Sequence, residues 1–499
     1  MAMIFKSLVF SGFLVVSLIA PLQAQYRPNI VWLMAEDIGQ DLACYGMKGL
    51  QTPTLDRLAT EGRKYNNAIC ANPICSPNRS AMMVGVNPTI INAHMHRSNR
   101  DLALPAPYKP ITSYLRDAGY TTLIGHDLVF EKGRKIDCNF KTTTTGTYDG
   151  ENSFGLFDAA RSWKKSDGPF FAQIQLKATH RGDWWNGIRK ASDDPVSVDE
   201  IELPPYIADT PQTRLDWATY LDTVEFADNE VAQLIEDLRA KELLDNTLII
   251  FIGDNGRCNL RGKGYLHEPG VRVPMILWGP DRLVKPAEIN DMVSVLDISA
   301  TILHLAGVEL PDYMDARPLI GTDTPMSREY VYSARDAWDE INECMRSVST
   351  PRFSYIRNYM PDLPYDQGQA YLDFHRPALH EMRRLKAEGT LKGNAALFLA
   401  KTKDAEELYD LDNDPHQLVN LAGNPEYTEI LAKMRENLDE WQASHDDLGL
   451  KDYRTRSTEI SSAANIKKWL KANHPEKWQR LLDGEIGDSY KAWGKLSKQ

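Results

Sequence analysis

The stretch "PNIVWLMAED" (28–37) is an apolar run ending in two carboxylates, and "TLIIFIGDNG" (247–256) repeats that form far along the chain. Continuous apolar runs of this length predict strands buried on both faces, as in a parallel sheet. Helix-like segments separate them: "TPTLDRLATEG" (52–62), opened by Thr52 and Pro53, and "PITSYLRDAGY" (110–120). A long one runs from about Thr213 to Asp245, where Leu215, Leu221, Val224, Val231, Leu234, Ile235 and Leu238 fall at helical spacing. "TTLIGHD" (121–127) and "PFFAQIQLKATH" (169–180) predict further strands, and "VSVLDISATILHLAG" (293–307) another helix. The alternation gives an α/β class with a large, mostly parallel sheet between helices.

After "PDYMDARPLIG" (311–321) the pattern shifts to shorter strands, "REYVYSAR" (328–335) and "FSYIRNYM" (353–360). A polar, helix-prone stretch follows around 375–400, then "EELYDLDNDPHQLVNLAGNP" (406–425) and a helix from about Tyr427 to Ser444. We therefore expect a catalytic domain over 25–325, a smaller C-terminal α+β subdomain with a short antiparallel sheet over 326–450, and a helical extension over 451–499. There are no internal repeats.

Residues 1–24, with Lys6, an apolar stretch from about Leu8 to Ala20 and a small-residue exit at Ala24, have the layout of a cleavable secretory signal. The apolar part is short for a membrane span and no later segment reaches the roughly 18 apolar residues a span needs, so the expectation is export to the periplasm or medium without stable membrane insertion. The 499 residues are 42% hydrophobic and 25% charged, ordinary globular values. A formal net charge of −12 argues against nucleic acid or anionic lipid as partners, so an anionic substrate would need a local cluster of cations. Six cysteines, Cys44, Cys70, Cys75, Cys138, Cys258 and Cys344, are too few for a disulfide scaffold.

Ligands in open α/β sheets bind at the carboxyl ends of strands, where Glu36, Asp37, Asp254 and Asn255 would gather. Four oxygen donors without thiolate or imidazole suit a hard cation, Ca²⁺ or alternatively Mg²⁺. Either pair alone reads equally well as a turn or helix cap; two pairs in equivalent positions favour the metal. In "ANPICSPNRSAMMVG" (71–85), Cys75 falls at a helix start, where free N–H groups and the helix dipole favour an anion, and Arg79 at i+4 shares its face. Helix start, arginine and divalent cation together make a site for a sulfate or phosphate group.

These residues resemble a known family. "CSPNRSAMMVG" is similar to the signature of the type I sulfatases, C-x-P-x-R followed by a helix, whose cysteine is oxidised during export to Cα-formylglycine. "PNIVWLMAEDIGQDLACYG", "FIGDNGRCNLRGKGYLHEPGVRVPMILWGP" and "ELYDLDNDPHQLVNLA" resemble its opening strand, second metal segment and C-terminal domain, in family order from Pro28 to Ala422. The resemblance implies an alkaline-phosphatase-like sandwich, a maturation enzyme as partner of Cys75, and a sulfated carbohydrate substrate. It makes Glu36, Asp37, Asp254, Asn255 and modified Cys75 the metal ligands. Arg79 would hold the nucleophile, and Lys263 and His180 would contact the sulfate and the leaving atom. One hydroxyl of the aldehyde hydrate would attack sulfur; the second would then expel sulfate.

Two positions depart from the family. Glu36 replaces the usual aspartate, and the family's G-K-x-H appears as "GHDL", with His126 at the lysine position and Leu128 at the histidine position. His126 would then be a pH-dependent cation at the sulfate, with Arg97 in "NAHMHRSNR" (92–100) as the alternative and a candidate glycan contact. His94 and His96 read as a solvated loop, "EKGRK" (131–135) as a solvated turn, and Cys70 as structural. "LPPYIADTPQTRLDWATYLDTVEFADNEV" (203–231) and "MRSVSTPRFSYIRNYM" (345–360) are similar to heparan N-sulfatases. The expectation is therefore a sulfohydrolase acting on N-sulfoglucosamine. The alternatives are an O-sulfatase of another glycan, a phosphohydrolase of the same superfamily, or an inactive sulfated-glycan-binding protein.

Overall fold

The computed structural model describes residues 27–142, 155–322, 328–339 and 341–451, with 453–454, 471–472, 475–476 and 479 beyond them. The expected signal segment, the boundary near 325 and most of the 451–499 extension lie outside the described residues.

Seven strands form the main sheet: β1 (Asn29–Ala35), β2 (Arg63–Ile69), β3 (Thr121–Ile124), β4 (Phe170–Leu176), β5 (Thr247–Gly253), β6 (Met275–Trp278) and β7 (Ala287–Ser294). Their order is β3-β4-β1-β5-β6-β2-β7. All neighbouring pairs are parallel except those of β6, which runs against β5 and β2. Both faces are covered, and alternate side chains of one strand feed opposite cores. Ile30, Trp32 and Met34 of β1 join Leu248, Ile250 and Ile252 of β5 on one side. Val31, Leu33 and Ala35 join Ile249 and Phe251 on the other. This two-sided demand explains why neither strand alternates polar with apolar.

The long helix runs Pro211–Ala240, with Pro211 in its first turn and a capping box between Thr210 and Thr213. Its expected stripe is buried from Leu221 to Leu238, but Leu215 is 43% exposed. The expected helices at 52–62, 110–120 and 293–307 form over Pro53–Glu61, Ile111–Asp117 and Asp297–Leu305; the last starts late because β7 claims its first residues.

The second sheet, ordered β11-β10-β9-β8, is wholly antiparallel: β8 (Val331–Arg335), β9 (Met345–Ser349), β10 (Phe353–Asn358) and β11 (Glu406–Asp410). The helix Thr428–Ser444 lays Leu431, Met434, Leu438 and Trp441 on one face, against Val348, Tyr355 and Leu408. The other face puts Val331, Met345, Ile356 and Tyr409 against Ile69, Leu266, Val271 and Met292 of the larger unit. The small sheet is thus docked beside the segment that follows β5.

Candidate active site

The register of the main sheet builds the site. Ala35 of β1 pairs with Gly253 of β5, so Glu36 and Asp254 leave adjacent strands at one level. The Asp254 N–H donates to the Ala35 carbonyl at 2.9 Å, and the Asp37 N–H to Asp254 Oδ1 at 3.0 Å. Asp37 sits in the left-handed region, φ 50°. Asn255 Nδ2 donates to Asp37 Oδ1 at 3.0 Å. All four side chains are fully buried.

Cys75 begins the helix Cys75–Val84 and is itself buried. Arg79, one turn on, donates through Nε to Asp254 Oδ2 at 2.9 Å and through Nη2 to Gln175 Oε1 on β4. Lys263 Nζ lies 2.7 and 3.0 Å from the two oxygens of Asp37. His180, on the loop after β4, has Nε2 3.6 Å from Glu36 Oε2 and 4.0 Å from Asp37 Oδ2.

Burial works against every charge here, and the opposing charges decide the outcome. Burial pushes Asp37 up, but Lys263 and His180 outweigh it and hold the carboxyl well below its usual range. Burial raises Asp254 to about 6; Arg79 opposes it, while Asp37 and Glu36 reinforce it. Burial lowers His180 to about 4 against the pull of Glu36 and Asp37. Burial also pushes the Cys75 thiol up to about 11, leaving it protonated and weakly nucleophilic at neutral pH.

Several residues differ from the sequence reading. His126 does not join the site: its Nε2 faces Asp237 on the long helix at 3.3 Å and its ring packs on Trp163 at 4.2 Å. Burial lowers its pKa, the reverse of what a cation at a sulfate requires. Leu128 is 44% exposed. Besides Lys263 and Arg79, Lys135 reaches the acids, from the run read as a solvated turn. Its Nζ bonds Glu36 Oε2 and lies 3.5 Å from Asp137 Oδ2. Arg97 lies beside the Cys75 turn: its N–H donates to Ser76 Oγ at 3.0 Å, and its guanidinium grips Asp137 through two bonds of 2.9 Å.

Sequence reasoning also missed the residues that close the rim. The Tyr371 hydroxyl lies 3.5 Å from His180 Nε2 and its ring 5.7 Å from Lys263 Nζ, while the Trp338 ring lies 5.9 Å from that ammonium. Both come from the C-terminal part, where no spacing signal linked them to the strand ends. His94 and His96 are buried, not solvated. Cys70 is a buried thiol, as expected of a structural cysteine.

Among the described residues, no three carboxylate, thiol or imidazole groups enclose a common point; Lys263, Lys135 and Arg79 draw the carboxylates toward themselves. The donor set nonetheless fits a hard cation. Glu36 Oε1 and Asn255 Oδ1 are buried without a hydrogen-bond partner, an arrangement that a divalent ion would satisfy. Glu36, Asp37, Asp254 and Asn255 are the residues that would hold it.

A mixed sheet with oxygen donors at its strand ends, a cysteine at a helix mouth and cations around them makes a site suited to an anionic group, in the alkaline-phosphatase-like fold that the chain shares with solved sulfatases. The sulfatase family model matches residues 28–308, and a model of the N-sulphoglucosamine sulphohydrolase C-terminal region matches 256–363. An ulvan-active sulfatase of Formosa agariphila is 31% identical over 471 residues, covering 85% of this chain and 76% of the relative. Human N-sulphoglucosamine sulphohydrolase is 26% identical over 470 residues, covering 84% and 91%. A solved structure in complex with its substrate, D-glucosamine-2-N,6-O-disulfate, superposes with a TM-score of 0.57 at 18% identity, covering 86% of this chain and all of that one. The chain belongs to the sulfatase family. It is a sulfuric ester hydrolase of sulfated glycans.

Proposed function

We propose that the enzyme is a formylglycine-dependent sulfohydrolase that removes an O-sulfate ester from an acidic polysaccharide. The observation that carries this reading is the 31% identity over 85% of the chain to an ulvan-active sulfatase. A second reading, sulfamate hydrolysis at N-sulfoglucosamine, is favoured by the C-terminal match over 256–363 and by the human relative.

Oxidised to the aldehyde, Cys75 would supply a hydrate hydroxyl as nucleophile, a role for which its buried thiol is ill suited. A divalent ion held by Glu36, Asp37, Asp254 and Asn255 would supply Lewis-acid charge against the sulfate. Arg79 holds its guanidinium between Asp254 and Gln175, fixed before substrate arrives. Lys263 and Lys135 place ammonium groups on the two sides of the acid cluster, where they neutralise charge on the transferring group. His180, kept neutral by burial and aimed at the acids, would hydrogen-bond the departing oxygen or nitrogen through its ring N–H, and the Lys263 ammonium would supply the proton.

The test is inorganic sulfate and phosphate release from ulvan oligosaccharides, N-sulfoglucosamine and phosphate monoesters. Sulfate from ulvan alone supports the ester reading, and sulfate from N-sulfoglucosamine supports the second. Phosphate release without sulfate would overturn both.

A further inference from the structure

His180 is held from three sides, and two of its holders follow it closely in the chain. The Trp185 indole Nε1–H donates to the His180 carbonyl at 2.7 Å, and the Trp184 ring stacks on the imidazole with centroids 6.1 Å apart and planes 26° from parallel. Tyr371 supplies the third side from the helix Ala370–His375, its ring centroid 5.7 Å from that of His180. No step of the proposed hydrolysis uses Tyr371.

Its hydroxyl decides where a proton sits on the imidazole. The Tyr371 hydroxyl donates to the Arg181 carbonyl at 3.0 Å. Arg181 is itself pinned: its guanidinium bonds Asp216 on the long helix and the His375 carbonyl, and lies 4.1 Å over the Trp185 ring. A phenol carries one hydrogen at neutral pH, and a carbonyl has none to return. The Tyr371 oxygen can therefore only accept from His180 Nε2, which lies 3.5 Å away, at the long end for a hydrogen bond and typical of a site that tightens around its substrate. Glu36 Oε2 at 3.6 Å and Asp37 Oδ2 at 4.0 Å are further acceptors on the same edge of the ring. Nδ1, on the other edge, is buried with no hydrogen-bond partner among the described residues, so no acceptor there competes for the proton. Of the three oxygens near Nε2, that of Tyr371 alone does not belong to a candidate metal ligand, and it stays with the imidazole whether or not an ion occupies the acids.

We propose that Tyr371 is a positioning residue: with its own proton committed to the Arg181 carbonyl, it keeps the imidazole proton of His180 on Nε2, so that His180 meets the leaving atom as a hydrogen-bond donor. A charged ring carries that proton as well, so the placement holds in either charge state. The assignment rests on the sulfohydrolase reading for what leaves, and on the hydrogen-bond geometry for which nitrogen donates.

Spectroscopy and turnover are measured separately so that the two can fail apart. Full-length protein carrying nitrogen-labelled histidine gives long-range proton–nitrogen correlation spectra, which separate proton-bearing from bare ring nitrogens, and His180→Gln assigns the resonances. The spectra are read after chelation and again with Ca²⁺ added. The expected result is a proton-bearing His180 Nε2 in both; a bare Nε2 in either overturns the proposal. Tyr371→Phe keeps the ring and loses only the oxygen. In that variant the His180 Nε2 resonance should shift and its proton should exchange with water at least tenfold faster, whereas an unchanged resonance and exchange rate overturn the role of Tyr371. Turnover is followed as sulfate release from whichever of ulvan oligosaccharides and N-sulfoglucosamine the wild type cleaves. Tyr371→Phe should lower kcat at least tenfold with KM within twofold; a smaller loss, or one confined to KM, also overturns it. Failure of the Cys75-oxidised wild type to release sulfate overturns the sulfohydrolase reading instead, and leaves the spectra decisive for Tyr371.

Discussion

Exchanging Lys135 and His126 for alanine, one at a time, separates the site found in the fold from the one expected from sequence order. Lys135 is the cation bonded to Glu36, with Asp137 beside it. Burial opposes its charge, but Glu36 and Asp137 outweigh burial and raise its pKa, so it is an ammonium throughout the working range. Loss of one fixed donor aimed at developing charge costs about 10²–10³ in kcat, or about 3–4 kcal/mol of barrier. Lys135→Ala should fall in that range at every pH from 5 to 9. His126→Ala should keep kcat within about threefold, because its partners are Asp237 and Trp163 and not the acids. Its effect belongs to stability: truncating a buried ring costs about 2–4 kcal/mol. The assay is initial-rate sulfate release with a melting curve for each variant. A His126→Ala loss equal to that of Lys135→Ala, or a wild-type rate that drops as pH rises through about 6.5 and is restored by His126→Lys, would refute the assignment.

Peptide mass spectrometry of protein made with the maturation enzyme should find formylglycine at Cys75 and at no other cysteine, and Cys75→Ser should fold and be inactive; full activity with an unmodified thiol at 75 would contradict this. Chelation should abolish sulfate release, and Ca²⁺ at 100 times its Kd should stabilise the fold by about 2.7 kcal/mol; Asp254→Ala should lose both responses, and an equal calcium shift in that variant would exclude Asp254 as a ligand. Glu230 offers a pH test away from the chemistry: it is buried on the long helix, its Oε1 accepts the Phe130 N–H at 2.5 Å, and its Oε2 has no hydrogen-bond partner. Burial raises its pKa from 4.5 to about 7, so the folded state disfavours the carboxylate, and the penalty, absent below pH 4.5, grows to about 3 kcal/mol above pH 7. Glu230→Gln should therefore raise Tm at pH 8 and leave it nearly unchanged at pH 4.5; the opposite ordering would show that Glu230 is stabilised as an anion.

The parts of the fold legible in sequence were those with a local cause. β1 and β5 are apolar at every position because two cores claim them, and the acids that follow fall together because the sheet sets Ala35 against Gly253. β2 (RKYNNAI) and β7 (AEINDMVS) were missed because polar side chains interrupt them near the sheet edge, where one face meets solvent. β6 was missed because four residues carry no periodicity. Cys75 and Arg79 were visible because one helical turn links them. Lys135 was not, because its approach to Glu36 depends on the path of 130–135, where Glu131, Lys132 and Gly133 all take positive φ and turn the chain inward. A charged run looks alike whether it faces water or a buried acid. Tyr371 and Trp338 arrive only through docking of the second sheet.

That docking makes the catalytic half incomplete as a separable piece. Arg376 Nη2 lies 3.5 Å from the Lys263 carbonyl, Tyr371 and Trp338 face its ammonium, and Val331, Met345 and Ile356 cover Leu266 and Val271 on the same segment. A chain cut after the first sheet would keep every acid and Cys75, yet leave the Lys263 loop with bare apolar backing and an open roof. Grafting a new rim from a relative onto this core is therefore a two-sided transplant: the donor segment must match the underside of the Lys263 loop as well as the sugar above it.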